Sequence, residues 1–145
     1  MGRWLAIDWG EKYIGLAISD PLGVIPQGLG VLEINGEKDF LNKIENIINE
    51  YEIKGIVLGL PISLKGEENE KTIKIKKLGE KLNKLFSIPV YYVDERFTTM
   101  EAEKLLIEGN VRREKRKIVR NKQSAILILD KFLSVYKQKI EEVLG

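Results

Sequence analysis

The chain has 145 residues, of which 43% are hydrophobic and 32% charged, with a net charge of only +2; this is one domain's worth, expected over 1–145, with a core of its own and no wholly disordered character. Cysteine and histidine are both absent. That excludes disulfides, thiolate or imidazole zinc sites, Ser-His-Asp triads and any histidine general base, and leaves chemistry to carboxylates, hydroxyls, Lys, Arg or a hard metal ion.

In chain order, Arg3 to Asp8 reads as a strand whose unbroken apolar run suits burial on both faces, so a central place in a sheet. The start of the chain leads straight into this strand pattern and has no signal-peptide character, and no apolar run nears the ~20 residues of a membrane span. A cytoplasmic protein with no membrane partner is expected. A short turn, Trp9 to Lys12, leads to a second strand, Tyr13 to Ser19. A Pro/Gly-rich loop from Asp20 to Gly28 precedes a third strand over Gly30 to Ile34, closing a meander.

Phe40, Leu41, Ile44, Ile47 and Ile48 recur at helical spacing between Lys38 and Tyr51. Gly55 to Leu60 is a short, apolar, buried strand. A helix over Glu68 to Phe86 packs through Ile73, Ile75, Leu78, Leu82 and Leu85. Pro89 to Asp94 is a strand with Pro first, where it loses no ladder bond. Thr98 to Glu108 predicts a helix, stopped by Gly109-Asn110. A basic loop follows, and Asn121 to Lys137 is the last helix, packed through Ala125, Ile128, Leu129, Phe132 and Tyr136. Three adjacent strands followed by βα units predict an α/β fold: a five-stranded mixed sheet, part antiparallel meander and part parallel, flanked by helices.

Candidate chemistry gathers at strand ends. Asp8, before Trp9-Gly10, is equally a turn residue or a ligand-facing carboxylate at the end of a central strand. Asp94 and Glu95 end another strand, and adjacent residues on extended chain point to opposite faces, so only one can face the site that Asp8 faces. Thr98 with Glu101 forms a capping box, and a helix N-terminus there would also favour a phosphate. Lys65, in the loop after Gly59-Leu60-Pro61, either belongs to an ordinary turn or reaches a phosphate. From Val111 to Lys122 the chain carries a local charge of +6, leaving −4 for the rest. Such a segment on an acidic body suits a polyanion-facing edge, with Arg112, Arg113, Arg116 and Lys117 on phosphates. The Lys-rich helix from Lys71 to Lys84 has interleaved acids and reads as a solvated face. Trp4, Trp9, Tyr91 and Tyr92 read as packing, with Trp9 placed where a base could stack.

Taken together, Ile7-Asp8-Trp9-Gly10, Ile14-Gly15-Leu16-Ala17 with Asp20, Gly59-Leu60-Pro61 with Gly66, Asp94-Glu95-Arg96-Phe97-Thr98-Thr99 with Ala102, and Ser124 to Leu129 with Phe132-Leu133 resemble the motifs of the YqgF/RuvX family. They occur in that family's order from Arg3 to Leu133. The resemblance implies an RNase H-like fold and a nuclease holding Mg²⁺ or Mn²⁺ between carboxylates, with Asp8 the first ligand and Glu95 the second. Nucleic-acid contacts are also expected through Lys65, Arg96, Thr98 and Thr99. The implied substrate is the 5′ end of precursor 16S rRNA or, alternatively, structured DNA such as a Holliday junction, with the protein a monomer or weak dimer. Where the family has an Asp opening the last helix, this chain has Asn121, which can offer a metal only a neutral carbonyl oxygen. Asp130 lies nine residues on and so on the opposite helical face; Glu114, in the basic loop, is the other acid that could substitute. A nucleic-acid-binding factor that has lost catalysis is therefore a further reading. An actin-like ATPase would need two such domains, and this length supplies one.

Overall fold

The structure is a computed structural model that describes residues 2–61, 69–95 and 113–144, with side chains of the last helix described over 120–136. The elements are β1 (Arg3–Asp8), β2 (Tyr13–Ser19), β3 (Pro26–Glu33), α1 (Glu37–Glu50), β4 (Ile53–Leu60), α2 (Glu70–Phe86), β5 (Val90–Asp94) and α3 (Arg113–Leu144). The strands form a single sheet in the order β3-β2-β1-β4-β5. β1, β2 and β3 pair antiparallel, while β4 and β5 run parallel to β1. This is the mixed sheet the element order predicts. The helix expected over Thr98 to Glu108 lies outside the described residues. Among the described residues no helix is long and apolar enough to cross a membrane.

The two faces of the sheet are built differently, and the period-2 alternation of side chains causes it. Leu5, Ile7, Ile14, Leu16, Ile18, Ile56, Leu58 and Leu60 point to one face and bury Phe40, Ile44 and Ile48 of α1 with Ile75, Leu78 and Leu82 of α2. The opposite face carries small residues, Ala6 and Ala17, beside Val57 and Val93, and receives Ala125, Ile128, Leu129, Phe132 and Leu133 of α3. Trp4 fills the far end of that layer, edge-on to Tyr91, Phe132 and Tyr136 at centroid distances of 5.7, 4.9 and 5.4 Å. Trp4, Tyr91 and Tyr136 are thus packing residues at the end of the sheet away from Asp8.

The largest departures from the expected boundaries are in β3 and α3. β3 starts at Pro26, inside the expected loop, because Asp20 shortens that loop: its carboxylate accepts hydrogen bonds from the Val24 and Ile25 N–H groups at 2.7 and 2.8 Å. The chain therefore turns early enough for Pro26 to pair with Ser19. α3 starts at Arg113, not at Asn121, and ends at Leu144, not at Lys137. The basic segment is thus the opening of a helix and not a loop: its Arg, Lys and Glu residues are strong helix formers, and no Gly or Pro interrupts them.

Ser19, fully buried, ties this end of the sheet together. Its Oγ accepts the Trp4 N–H at 2.9 Å and donates to the Asp20 carbonyl at 2.9 Å. Ser19→Ala leaves the Trp4 N–H without that acceptor and is expected to cost about 1–2 kcal/mol of stability. Urea unfolding checks it; an unchanged midpoint would contradict this role.

Candidate functional site

The parallel strands β1, β4 and β5 end on the same edge of the sheet, where open α/β sheets collect their functional groups. Asp8 is the last residue of β1, and Glu95 follows the last residue of β5. The Glu95 N–H still donates to the Leu60 carbonyl at 3.0 Å, so the ladder carries Glu95 one step beyond the strand. By alternation, Asp8 shares the α3 face of the sheet with Trp4 and Ala6, and Glu95 shares it with Val93. Asp94 takes the other orientation. The choice between the two acids after β5 therefore falls on Glu95.

β4 lies between β1 and β5, and Gly59 makes their carboxylates neighbours. A Cβ at position 59 would lie 2.7 Å from Glu95 Oε2 and 2.5 Å from Ile128 Cδ1. The Glu95 side chain thus crosses β4 through the space where any other residue would have a side chain. It reaches Asp8, and the two carboxyls share a side-chain hydrogen bond.

Burial pushes the Asp8 carboxyl well above the ordinary carboxylate range. The Glu95 charge and hydrogen bond push it further, and the Arg120 guanidinium only partly offsets this. Burial also raises Glu95; the hydrogen bond with Asp8 and the Lys71 charge pull it back, while Asp94 pushes it up. Two acids in one partly dry site oppose each other's ionisation, and both are raised.

Around the pair opens a cleft of about 520 Å³, lined by Trp9, Lys12, Tyr13, Lys71, Lys74 and Arg120 among others. Asn121 also lines it, and its Nδ2 donates to the Tyr13 carbonyl at 3.4 Å. α3 can come this close because of Gly15 on β2: a Cβ there would overlap the Asn121 carbonyl. Trp9 stands on the cleft wall with its ring edge-on to Phe40 at 4.9 Å.

Of the residues singled out in the sequence, the fold brings Asp8, Glu95 and Asn121 into one cleft. Arg113, Arg116 and Lys117 lie on the first turns of α3, as does Glu114. Lys65, Arg96, Thr98, Thr99 and Arg112 lie outside the described residues. Asp130 is exposed, as the helical spacing requires. Lys122 lies away from the cleft, over Gly28 of β3. The sequence reading misses Lys71 and Lys74, which wall the cleft instead of forming only a solvated face, and it does not single out Arg120. A usable signal is topological: α2 follows β4, so its first turns must stand at the edge where the parallel strands end.

The donor set suits a hard divalent cation. Asp8 and Glu95 supply adjacent oxygen ligands whose mutual repulsion a cation would relieve, and Asn121 supplies an amide. Among the described residues, no group of three or more acidic, His or Cys side chains could hold a metal.

Comparison with known proteins bears on the family and the fold. The family described as "RuvX: Holliday junction resolvase" matches residues 2–135. A Dictyoglomus thermophilum protein named "Putative pre-16S rRNA nuclease" is 57% identical over 131 residues, covering 90% of this chain and 94% of the relative. Among solved structures, the Fowlpox virus resolvase bound to Holliday junction DNA is similar with a TM-score of 0.59 at 10% identity, covering 92% of this chain and 98% of that one. RuvC of T. thermophilus with a Holliday junction substrate gives 0.56 at 15% identity, covering 93% and 96%. The fold is RNase H-like, and the chain belongs to the RuvX family.

Proposed function

We propose that this protein is a metal-dependent nuclease that hydrolyses phosphodiester bonds in RNA, at the 5′ end of precursor 16S rRNA. The observation that carries it is the Asp8–Glu95 pair, held together across Gly59 at the floor of a cleft flanked by cations. The name borne by the Dictyoglomus relative supports the substrate.

In this reading Asp8 and Glu95 hold Mg²⁺ or Mn²⁺, with Asn121 a third, neutral ligand through its amide oxygen. The ion, when bound, activates water and stabilises the leaving oxygen. Arg120 stands beside Asp8 and balances charge on the phosphate. Arg113, Arg116 and Lys117 precede Arg120 by seven, four and three residues, a spacing that recurs along one helical stripe. With Arg112, they are the charges the sequence offers for further phosphates. The sequence adds Lys65, Arg96, Thr98 and Thr99 as further candidate nucleic-acid contacts.

A specific consequence concerns protons. Carboxylates whose pKa is raised would have to be ionised to hold the ion, so Mn²⁺ affinity is expected to rise with pH, up to ~10-fold per unit if one proton is released. Calorimetry between about pH 5 and 8, in buffers of different ionisation enthalpy, reads the released proton. Affinity independent of pH would contradict the pair as the ligand.

Asn121 supports a second reading, a nucleic-acid-binding factor with weakened catalysis. Its amide hydrogen-bonds the Tyr13 carbonyl, a contact in which a carboxylate would meet a carbonyl oxygen instead of donating to it. A third reading, junction resolution, is supported by the family description and the two resolvase neighbours. The deciding experiment presents precursor rRNA carrying its 5′ leader and a four-way DNA junction separately with Mn²⁺ and Mg²⁺. Cleavage of the leader but not the junction is the expected result. Junction cleavage alone moves the function to resolution, and binding without cleavage moves it to the weakened factor.

A further inference from the structure

α2 is fixed against the end of β4 by a clamp of three hydrogen bonds. Asn69 Nδ2 donates to the Pro61 carbonyl at 2.9 Å, Thr72 Oγ1 donates to the same oxygen at 3.3 Å, and the Thr72 N–H donates to Asn69 Oδ1 at 3.0 Å. Thr72 is fully buried, and Ile75 and Leu78 anchor the following turn in the core. The clamp leaves little freedom in how the first turns of α2 face the cleft. Lys71 and Lys74 then stand on its wall, three residues apart and so on one helical face.

The lysines of this helix divide by role. Lys81 pairs with Glu37 of α1, and Lys84 is exposed in the last turn. Lys71 and Lys74 instead share the cleft with Arg120, which approaches from α3 on the other side of the carboxylates. The floor of the cleft is acidic, and cations from α2 and α3 flank it, with Glu11 of the β1–β2 turn also on its lining.

We propose that Lys71 and Lys74 form a phosphate-binding subsite for the nucleotide next to the scissile bond, so that a single RNA strand is gripped from both α2 and α3. This rests on the nuclease reading above and adds the form in which the substrate enters. A cleft of about 520 Å³ is in the ~300–1,000 Å³ range of ligand pockets, room for a nucleotide or two of one strand. Lysine ammonium groups act as point charges on phosphates and read no base, so the subsite tolerates any sequence.

The test uses fluorescence anisotropy with a short 5′-labelled single-stranded RNA, in the Asp8→Asn background and without added metal, across a salt series. Lys71→Gln and Lys74→Ala are each expected to weaken binding by roughly 3- to 10-fold at low salt and to flatten the log K against log salt slope by about 0.7. Lys84→Ala leaves both unchanged, and Lys74→Arg restores the slope. A blunt RNA duplex of the same sequence competes poorly. If the parent binds RNA while Lys71→Gln and Lys74→Ala keep its affinity and slope, or if duplex competes as well as single strand, the subsite is overturned. If the parent binds no RNA, the nuclease reading fails, and the subsite with it.

Discussion

Asp8→Asn is expected to raise the melting temperature of the metal-free protein at neutral pH by several degrees while lowering cleavage about 10³-fold or more. The two effects have one cause. Asp8 is held among protein groups and beside Glu95, so its folded-state pKa stands well above the unfolded value. Between those two values the folded chain holds a proton that the unfolded chain has released. Stability from this group is therefore fully present below the unfolded carboxylate value and is lost as pH rises through the folded one. Asparagine has nearly the same shape and never ionises, so the loss disappears and the variant gains stability on the alkaline side. Thermal melts of both proteins as a function of pH are expected to converge in acid and separate as pH rises. Mn²⁺ then raises the melting point of the wild type and not of the variant. A variant less stable than the metal-free wild type at neutral and alkaline pH would contradict the strained pair.

Gly15→Ala is expected to cost about 3 kcal/mol or more and to abolish cleavage in whatever fraction stays folded. The added methyl group would overlap the carbonyl of Asn121, a backbone atom that no rotamer change can move. α3 must lift from β2, and with it go Asn121, its bond to the Tyr13 carbonyl, and Arg120 on the cleft wall. Circular dichroism melts, together with RNA cleavage measured well below the melting temperature, separate the two consequences. Wild-type stability with wild-type activity would show that α3 is not seated on β2 in this way.

Much of the fold is legible in the sequence because burial is written in its periodicity. β1 and β2 follow from their apolar runs, and α1 and α2 from stripes such as Phe40, Ile44 and Ile48. The start of β3 was not legible, since it depends on Asp20 drawing the Val24 and Ile25 N–H groups into a short loop. Nor was the start of α3: a dense basic run reads as a solvated loop, yet its residues are good helix formers. In the site, Asp8 and Glu95 were visible as strand-end acids. Their contact was not, because it depends on an absent side chain at Gly59 on the strand between them. Lys71 and Lys74 were hidden among interleaved acids, and only the seating of α2 after β4 turns them to the cleft.

The central claim is that the Asp8–Glu95 pair is the centre of phosphodiester hydrolysis. Single-turnover cleavage of 5′-labelled precursor rRNA by the wild type and Asp8→Asn in parallel, each with Mn²⁺ and with chelator, tests it most directly. The account predicts cleavage by the wild type with the ion and none in the other three reactions. Equal cleavage by Asp8→Asn, or cleavage by the wild type in chelator, would contradict it.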